Sequence, residues 1–167
     1  LDTDAGVIWL HHAEGGDLRA AVARGWFRQL SETLMKPGEG IGGTVFASGQ
    51  AHVSAEFARD PLVRQPAAGQ IPAGWGGACV PIRSGALTIG VLFISVPLPH
   101  QITTEQVQLL ESVAEMAGAA LHRIRLFDET VRQLAHMQAL HRIDQAIAAS
   151  MDLHLTLNIL LNQVIGQ

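Results

Sequence analysis

The stretch of sequence that decides the fold is Gly77–Val96, which reads GACVPIRSGALTIGVLFISV. Two runs of strand-forming residues, Gly77–Arg83 and Leu87–Val96, flank the turn residues Ser84-Gly85-Ala86, so the stretch predicts a β-hairpin. In the second run, apolar residues occupy both alternating sets of positions, so both faces of that strand are expected to be buried. Such a strand needs a layer above and below it. We therefore predict an α+β fold, a central antiparallel sheet with helices on both faces.

The sequence before this hairpin predicts a second hairpin and several short helices. Ala5–His11 and Leu18–Ala23 are strand-like runs on either side of a glycine-bearing loop. Short helices are expected at Trp26–Leu34 and Gly42–Gly49, with a further helical turn within Glu56–Arg64. The segment that follows is rich in Gly, Pro and Ala, and we expect it to be a loop.

One long helix is predicted after the sheet. Thr103 and Gln106 form a capping-box pattern, and no proline occurs between Thr104 and Met151. Apolar residues recur at spacings of three and four, and at about 1.5 Å per residue the helix is too long for this domain to cover. A parallel partner helix is the expected cover. The expected dimer contacts are Leu121, Ile124, Phe127, Val131 and Leu134.

These patterns predict three regions, a sheet core (1–102), a connecting helix (103–149) and the start of a following module (150–167). Ser150 or Asp152 is expected to cap a new helix at the start of the third region. We expect that helix to dock on another subunit, and the chain to be part of a longer protein. The apolar positions of the helix are Leu153, Leu157, Leu160, Leu161 and Val164.

Composition argues against several classes of function. The 167 residues carry 11 Lys plus Arg and 15 Asp plus Glu, a net charge of -4, so binding to nucleic acid or an anionic membrane is not expected. The uncharged window Ser84–Thr104 is interrupted by glycine and proline and is not expected to span a bilayer. Cys79 is the single cysteine, which excludes an internal disulfide and a multi-cysteine metal cage. Without a signal-peptide pattern, we expect a cytoplasmic location.

Three glycines, Gly38, Gly40 and Gly43, spell the G-x-G-x-x-G pattern of dinucleotide sites. In such sites the pattern follows a buried parallel strand, whereas here it follows Lys36-Pro37. A structural glycine turn is the better interpretation. The histidines lack the spacing of a metal site, and the sequence identifies no cofactor.

The order of motifs along Asp4–Phe127 resembles the GAF family of sensory domains. The resemblance implies a six-stranded or similar antiparallel sheet, a small-molecule pocket and an output domain in the same polypeptide. It also implies that residues 150–167 open another repeat of this kind. The matching segments are Gly38–Phe46, Ser48–Gln50, Asp60-Pro61, Cys79–Ile82 and Ile89–Leu92.

Members of this family with named chemistry fit the sequence poorly. The Asn-Lys signature of the cyclic-nucleotide members is missing, and Cys79 lacks the following histidine that is common in bilin-binding members. Free methionine sulfoxide reductases of this fold need more than one cysteine. The chain also lacks a nucleophile elbow and a P-loop, so we do not expect an enzyme.

The implied pocket is expected beneath the irregular segment Phe57–Gly77, over the strand that carries Cys79. We expect a sensory domain that binds an unidentified small molecule and relays the signal through a dimeric helix. The alternatives are a ligand-free dimerisation or spacer module, and a haem sensor with a single histidine such as His52, His100 or His122 as axial ligand. The expected wall residues are Phe46, Phe57, Trp75, Cys79 and Ile94, with Arg64 or His52 as the polar contact.

Overall fold

The computed structural model describes residues 3–13, 15–63 and 69–165, without the side chains at positions 144, 146–155, 163 and 164. In this part of the chain five strands form one antiparallel sheet in the order β2-β1-β5-β4-β3. The helices are α1 (Gly40–Ser48) and α2 (Thr104–Ile165), together with 3₁₀ helices at Gly25–Leu30 and Phe57–Arg59. The strands are β1 (Ala5–His11), β2 (Leu18–Arg24), β3 (His52–Ser54), β4 (Trp75–Ser84) and β5 (Leu87–Pro97).

Both predicted hairpins are present. Strands β4 and β5 pair from Trp75 opposite Pro97 to Ser84 opposite Leu87, with a register shift between Ile82 and Arg83. Gly85 closes the turn with a φ of +62°, a conformation that glycine adopts without steric cost. Strand β1 lies between β2 and β5 and is antiparallel to both. The predicted antiparallel α+β fold is therefore confirmed.

The sheet is buried on both faces, as the apolar pattern of β5 predicted. One face carries Val7, Trp9, Cys79 and Phe93, and Ile41 of α1 packs in the same core. On the opposite face Ala78, Val80 and Ile82 pack against Leu110 and Ala114 of α2. Because successive side chains of a strand point to opposite faces, neighbouring residues of β5 such as Phe93 and Ile94 pack in different cores.

Helix α1 begins and ends at glycines that the backbone requires. Gly40 has a φ of +66° at the start, and Gly49 has a φ of +67° just beyond the end. A Cβ atom on Gly43 would lie 2.2 Å from the carbonyl oxygen of Lys36, so the loop passes this helix at a distance that only glycine permits. The glycine pattern thus serves chain reversal and close packing.

Helix α2 begins with the predicted capping box. The Thr103 amide donates to Gln106 Oε1 at 3.0 Å, and the Gln106 amide donates to Thr103 Oγ1 at 3.3 Å. The prediction of a new helix start at Ser150 or Asp152 is wrong, because the backbone stays helical to Ile165. Serine and aspartate cost only about 0.5 kcal/mol inside a helix, and neither glycine nor proline occurs between Ser150 and Gly166.

The chain consists of two compact units, and the boundary between them lies after His122 instead of at the predicted 102/103. The first is Leu1–His122 and the second is Arg123–Gln167. The first turns of α2 belong to the first unit because Leu110 and Ala114 are buried against the sheet. Leu121, expected at a dimer interface, is partly buried against that same core. Within the described ranges, no helix combines the length and hydropathy needed to cross a bilayer.

Candidate functional site

A cavity of about 410 Å³ lies on the sheet face that carries Cys79 and Phe93. Its volume falls within the range of small-molecule sites, about 300–1,000 Å³. Aromatic side chains from separate parts of the first unit form much of its wall. They are Trp9 of β1, Trp26 and Phe27 of the first 3₁₀ helix, Phe57 of the second, and Phe93 of β5.

The aromatic rings hold one another in place. Trp26 and Phe27 stack with ring centroids 3.9 Å apart, and Phe93 lies 5.7 Å from Phe27 and 6.1 Å from Phe57. The indole N–H of Trp26 donates to Ser95 Oγ at 3.3 Å, and that hydroxyl donates to the carbonyl oxygen of Gly76 at 3.0 Å. The wall is therefore preformed, because packing and hydrogen bonds both restrict its rings.

The first 3₁₀ helix supplies one side of the wall. The sequence predicted a short helix over Trp26–Leu34, and the structure has a 3₁₀ helix that ends at Leu30. Residues three apart lie on the same side of such a helix, so Phe27 and Leu30 are buried together. Gly25 precedes them with a φ of +60°, and a Cβ atom there would lie 2.7 Å from the Cβ of Ala5. This close approach brings the 3₁₀ helix against β1.

The start of α1 supplies the side of the cavity that carries polar groups. Gly40, Ile41 and Gly42 line it, and a Cβ atom on Gly42 would lie 2.9 Å from the Phe93 ring. Glu39, directly before the helix, is exposed and has no ion-pair or hydrogen-bond partner for its carboxylate among the described residues. Apart from Glu39 and Thr33, the lining side chains that the structure describes are apolar.

Of the residues predicted to form the pocket wall, Phe57 lines the cavity. Cys79 is fully buried in the adjoining core, where burial raises the pKa of its thiol well above the usual value. Trp75 packs against the same core, and Phe46 stacks on His11 with ring centroids 5.1 Å apart. These three side chains belong to the core on this face of the sheet but do not line the cavity.

Ile94, a predicted wall residue, does not line the cavity. Its neighbour Phe93 pairs with Cys79 across β4 and β5, so Ile94 points to the opposite face and packs in the core that α2 covers. Arg64, one of the two expected polar contacts, lies outside the described residues.

The other expected polar contact, His52, is paired with Asp60 instead of lining the cavity. His52 Nε2 lies 2.8 Å from Asp60 Oδ2, and the Leu62 amide donates to Asp60 Oδ1 at 3.0 Å. Burial acts to raise the pKa of Asp60, but hydrogen bonds from His52, Ser54 and the Leu62 amide outweigh it and hold that pKa below its usual value. The pair fixes the segment after β3.

Sequence reasoning missed most of the aromatic wall. Trp26 and Phe27 were assigned only to a helix, and Phe93 only to the sheet core. The available signal was a pair of adjacent aromatic residues in a short helix next to the first hairpin. That signal indicates burial but does not distinguish a filled core from a cavity.

Solved structures share this fold. A GAF domain of a phosphoenolpyruvate-protein phosphotransferase from Coxiella burnetii is 20% identical, with a TM-score of 0.65 over 75% of this chain and 76% of that one. A GAF/HD domain protein from Geobacter sulfurreducens is 12% identical, with a TM-score of 0.66 over 75% and 84%. A type II free methionine-R-sulfoxide reductase from Thermoplasma acidophilum is 16% identical, with a TM-score of 0.59 over 72% and 79%.

The similarity in sequence has the same extent as the first compact unit. No curated protein sequence matches the chain. The family model described as GAF domain matches residues 1–122, which is the unit that contains the sheet, α1, the aromatic cavity and the first turns of α2. With this match over most of its length, the chain belongs to the GAF domain family.

Proposed function

We propose that this chain is a sensory domain that binds a small molecule in the aromatic cavity. The observation that carries the proposal is the cavity itself, about 410 Å³ with five aromatic residues in its wall. Small-molecule sites are typically concave, largely apolar and preformed, with a few polar groups that orient the ligand. Glu39 and Thr33 supply such groups here.

We further propose that ligand binding changes the arrangement of two paired α2 helices. These helices would connect the domain to an output domain in the same polypeptide. The second unit exposes apolar side chains at spacings of three and four, a pattern typical of a helix that pairs with another copy. A parallel pair would carry a rotation or register shift along the helix. The exposed side chains are Ile124, Phe127, Val131 and Leu134, and farther along Leu157, Leu160 and Leu161.

A regulatory role is proposed rather than a catalytic one. The thiol of Cys79 is buried and its pKa is raised, so it stays protonated and is a poor nucleophile. The free methionine-R-sulfoxide reductases among the similar structures are enzymes, but their likeness concerns the fold.

A ligand-free spacer is the second candidate, because none of the exposed stripe residues named above lines the cavity and a helix pair needs no ligand to form. A haem sensor has weaker support, since none of the described lining residues is a histidine. If the domain is a sensor, blocking the cavity removes the binding of a small molecule. If it is a spacer, blocking the cavity has no effect on small-molecule binding.

Blocking the cavity tests the proposal. Ile71 lines the cavity and is half-buried, so Ile71→Trp is expected to fill it, whereas Leu87→Trp at the exposed first residue of β5 is the matched control. Native mass spectrometry and thermal shifts with a panel of small aromatic and aliphatic compounds measure binding. We expect binding by the wild type and by Leu87→Trp, and loss in Ile71→Trp. Equal responses in all three proteins, including no response in any, would favour the spacer.

A further inference from the structure

We propose that the cavity selects ligands that carry a cationic ammonium group on an apolar body. This inference rests on the function proposed above, since it names the ligand class for the same cavity. It follows from the aromatic wall and from the sign of the charge at the start of α1.

The aromatic wall offers ring faces to a cation. A ring attracts a cation placed over its face within about 6 Å of the centroid, most strongly for tryptophan and most strongly when water is excluded. Trp26 lines the cavity and is only partly buried, so it is the tryptophan that a ligand can reach, whereas the Trp9 ring is only 2% exposed. Since the Trp26 N–H already donates to Ser95, the indole contributes its ring surface to the cavity rather than a hydrogen-bond donor.

The charge of the lining also favours a cation. Glu39 is its only ionisable residue in the described part of the chain, and the Glu39 carboxylate is unpaired there. A charged ligand group loses its hydration on entering an apolar cavity and needs an opposite charge to compensate. Glu39 supplies that compensation for an ammonium group and repels a carboxylate or a phosphate.

The amide groups at the start of α1 do not reverse this preference. The N-terminus of a helix carries about half a positive charge, and Gly40, Ile41 and Gly42 line the cavity there. Glu39 directly precedes these residues and carries a full negative charge when ionised. This charge is larger than the half charge of the helix terminus and opposite in sign, so Glu39 is unfavourable for an anion at this place.

Three probes of similar shape test this inference: benzyltrimethylammonium, benzyl alcohol and benzoate. Calorimetry at constant ionic strength is expected to give an affinity for benzyltrimethylammonium about tenfold above that for benzoate, with benzyl alcohol between them. Glu39→Gln is expected to weaken the cation about threefold and to leave benzyl alcohol unchanged. Glu32→Gln is the control, because Glu32 is exposed and does not line the cavity.

The outcomes separate this inference from the function on which it rests. Binding of all three probes with equal affinity, or tighter binding of benzoate, overturns the cation preference while ligand binding in the cavity stands. If benzoate binds tightest and Arg64→Ala removes that binding, selectivity belongs to Arg64 and this proposal is wrong. If no probe binds the wild type and cavity blocking by Ile71→Trp changes no other binding, both proposals fail.

Discussion

Asp60 fixes the segment that follows β3 and shows how one buried carboxylate can organise a loop. Its side chain is only 5% exposed and accepts hydrogen bonds from His52, Ser54 and the Leu62 amide. The next residues lead to Val63, which lines the cavity. A buried carboxylate with several donors stabilises the fold only while it is ionised, so its effect depends on pH.

Asp60→Ala is expected to lower the free energy of unfolding at neutral pH by about 1–3 kcal/mol, because buried donors lose a charged acceptor. The folded-state pKa of Asp60 lies below the usual value for an aspartate. Its contribution is thus complete above the pKa of the unfolded chain and is lost as the pH falls through the folded-state pKa. Urea denaturation from about pH 3 to pH 7 should show the two proteins converging below about pH 4.

Arg59→Ala is the control for this prediction. Its guanidinium is 84% exposed and lies 3.2 Å from Glu56, and a surface pair of this kind contributes about 0–1 kcal/mol. An Asp60→Ala deficit that stays constant down to pH 3, or one no larger than that of Arg59→Ala, would contradict the assigned role.

Helix α2 and strand β4 are joined by a contact that only glycine permits. A Cβ atom on Gly118 would lie 1.8 Å from the carbonyl oxygen of Arg83, at the register shift in β4. Ala114, one turn earlier, is fully buried against the sheet. The sequence showed Gly118 only as the single glycine within a long helical pattern. Glycine is needed at this position because the sheet backbone lies so close to the helix.

Gly118→Ala is expected to destabilise the first unit by about 1–3 kcal/mol, because helix and strand must move apart. In an exposed helix the same change would stabilise by about 1 kcal/mol. Ala119→Gly, at an exposed neighbouring position, measures that intrinsic preference and should cost about 1 kcal/mol. Chemical denaturation compares the variants, and an increase in stability for Gly118→Ala would show that the contact is absent.

The whole molecule joins a folded GAF unit to a helix with an exposed apolar stripe. In the second unit Phe127 is 69% exposed and Ile124 is 58% exposed. Such side chains are normally covered by a partner, since the packing of an apolar face supplies most of the stability of a helix in a protein. A second copy supplies a matching stripe without any further component.

Val131→Glu is expected to convert a dimer into a monomer, because two carboxylates would face each other across the apolar seam. Gln133→Glu adds the same charge at an exposed position between the stripe residues and should leave the dimer intact. Sedimentation velocity at micromolar concentration distinguishes the two states. A monomeric wild type, or a Val131→Glu variant that remains dimeric, would contradict the proposed interface.

The sequence by itself determined the elements that depend on near neighbours. Both hairpins, α1 with its glycine end and the capping box of α2 follow from alternation, turn residues and capping within a few positions. The two apolar faces of β5 also predicted the layers above and below the sheet. The continuous helix through Ser150 shows the limit, because a residue that favours a cap does not force the helix to end.

Only the tertiary structure decided which residues meet at the cavity. Trp9, Phe27, Phe57 and Phe93 come from four elements separated by long stretches of sequence. Alternation assigns neighbouring residues to opposite faces, but it does not say which face holds the cavity, so it does not exclude Ile94 from the predicted wall. The sequence pattern is the same for a filled core and for a cavity. The difference depends on how closely the layers pack, which is set by non-local contacts such as those of Gly25 and Gly42.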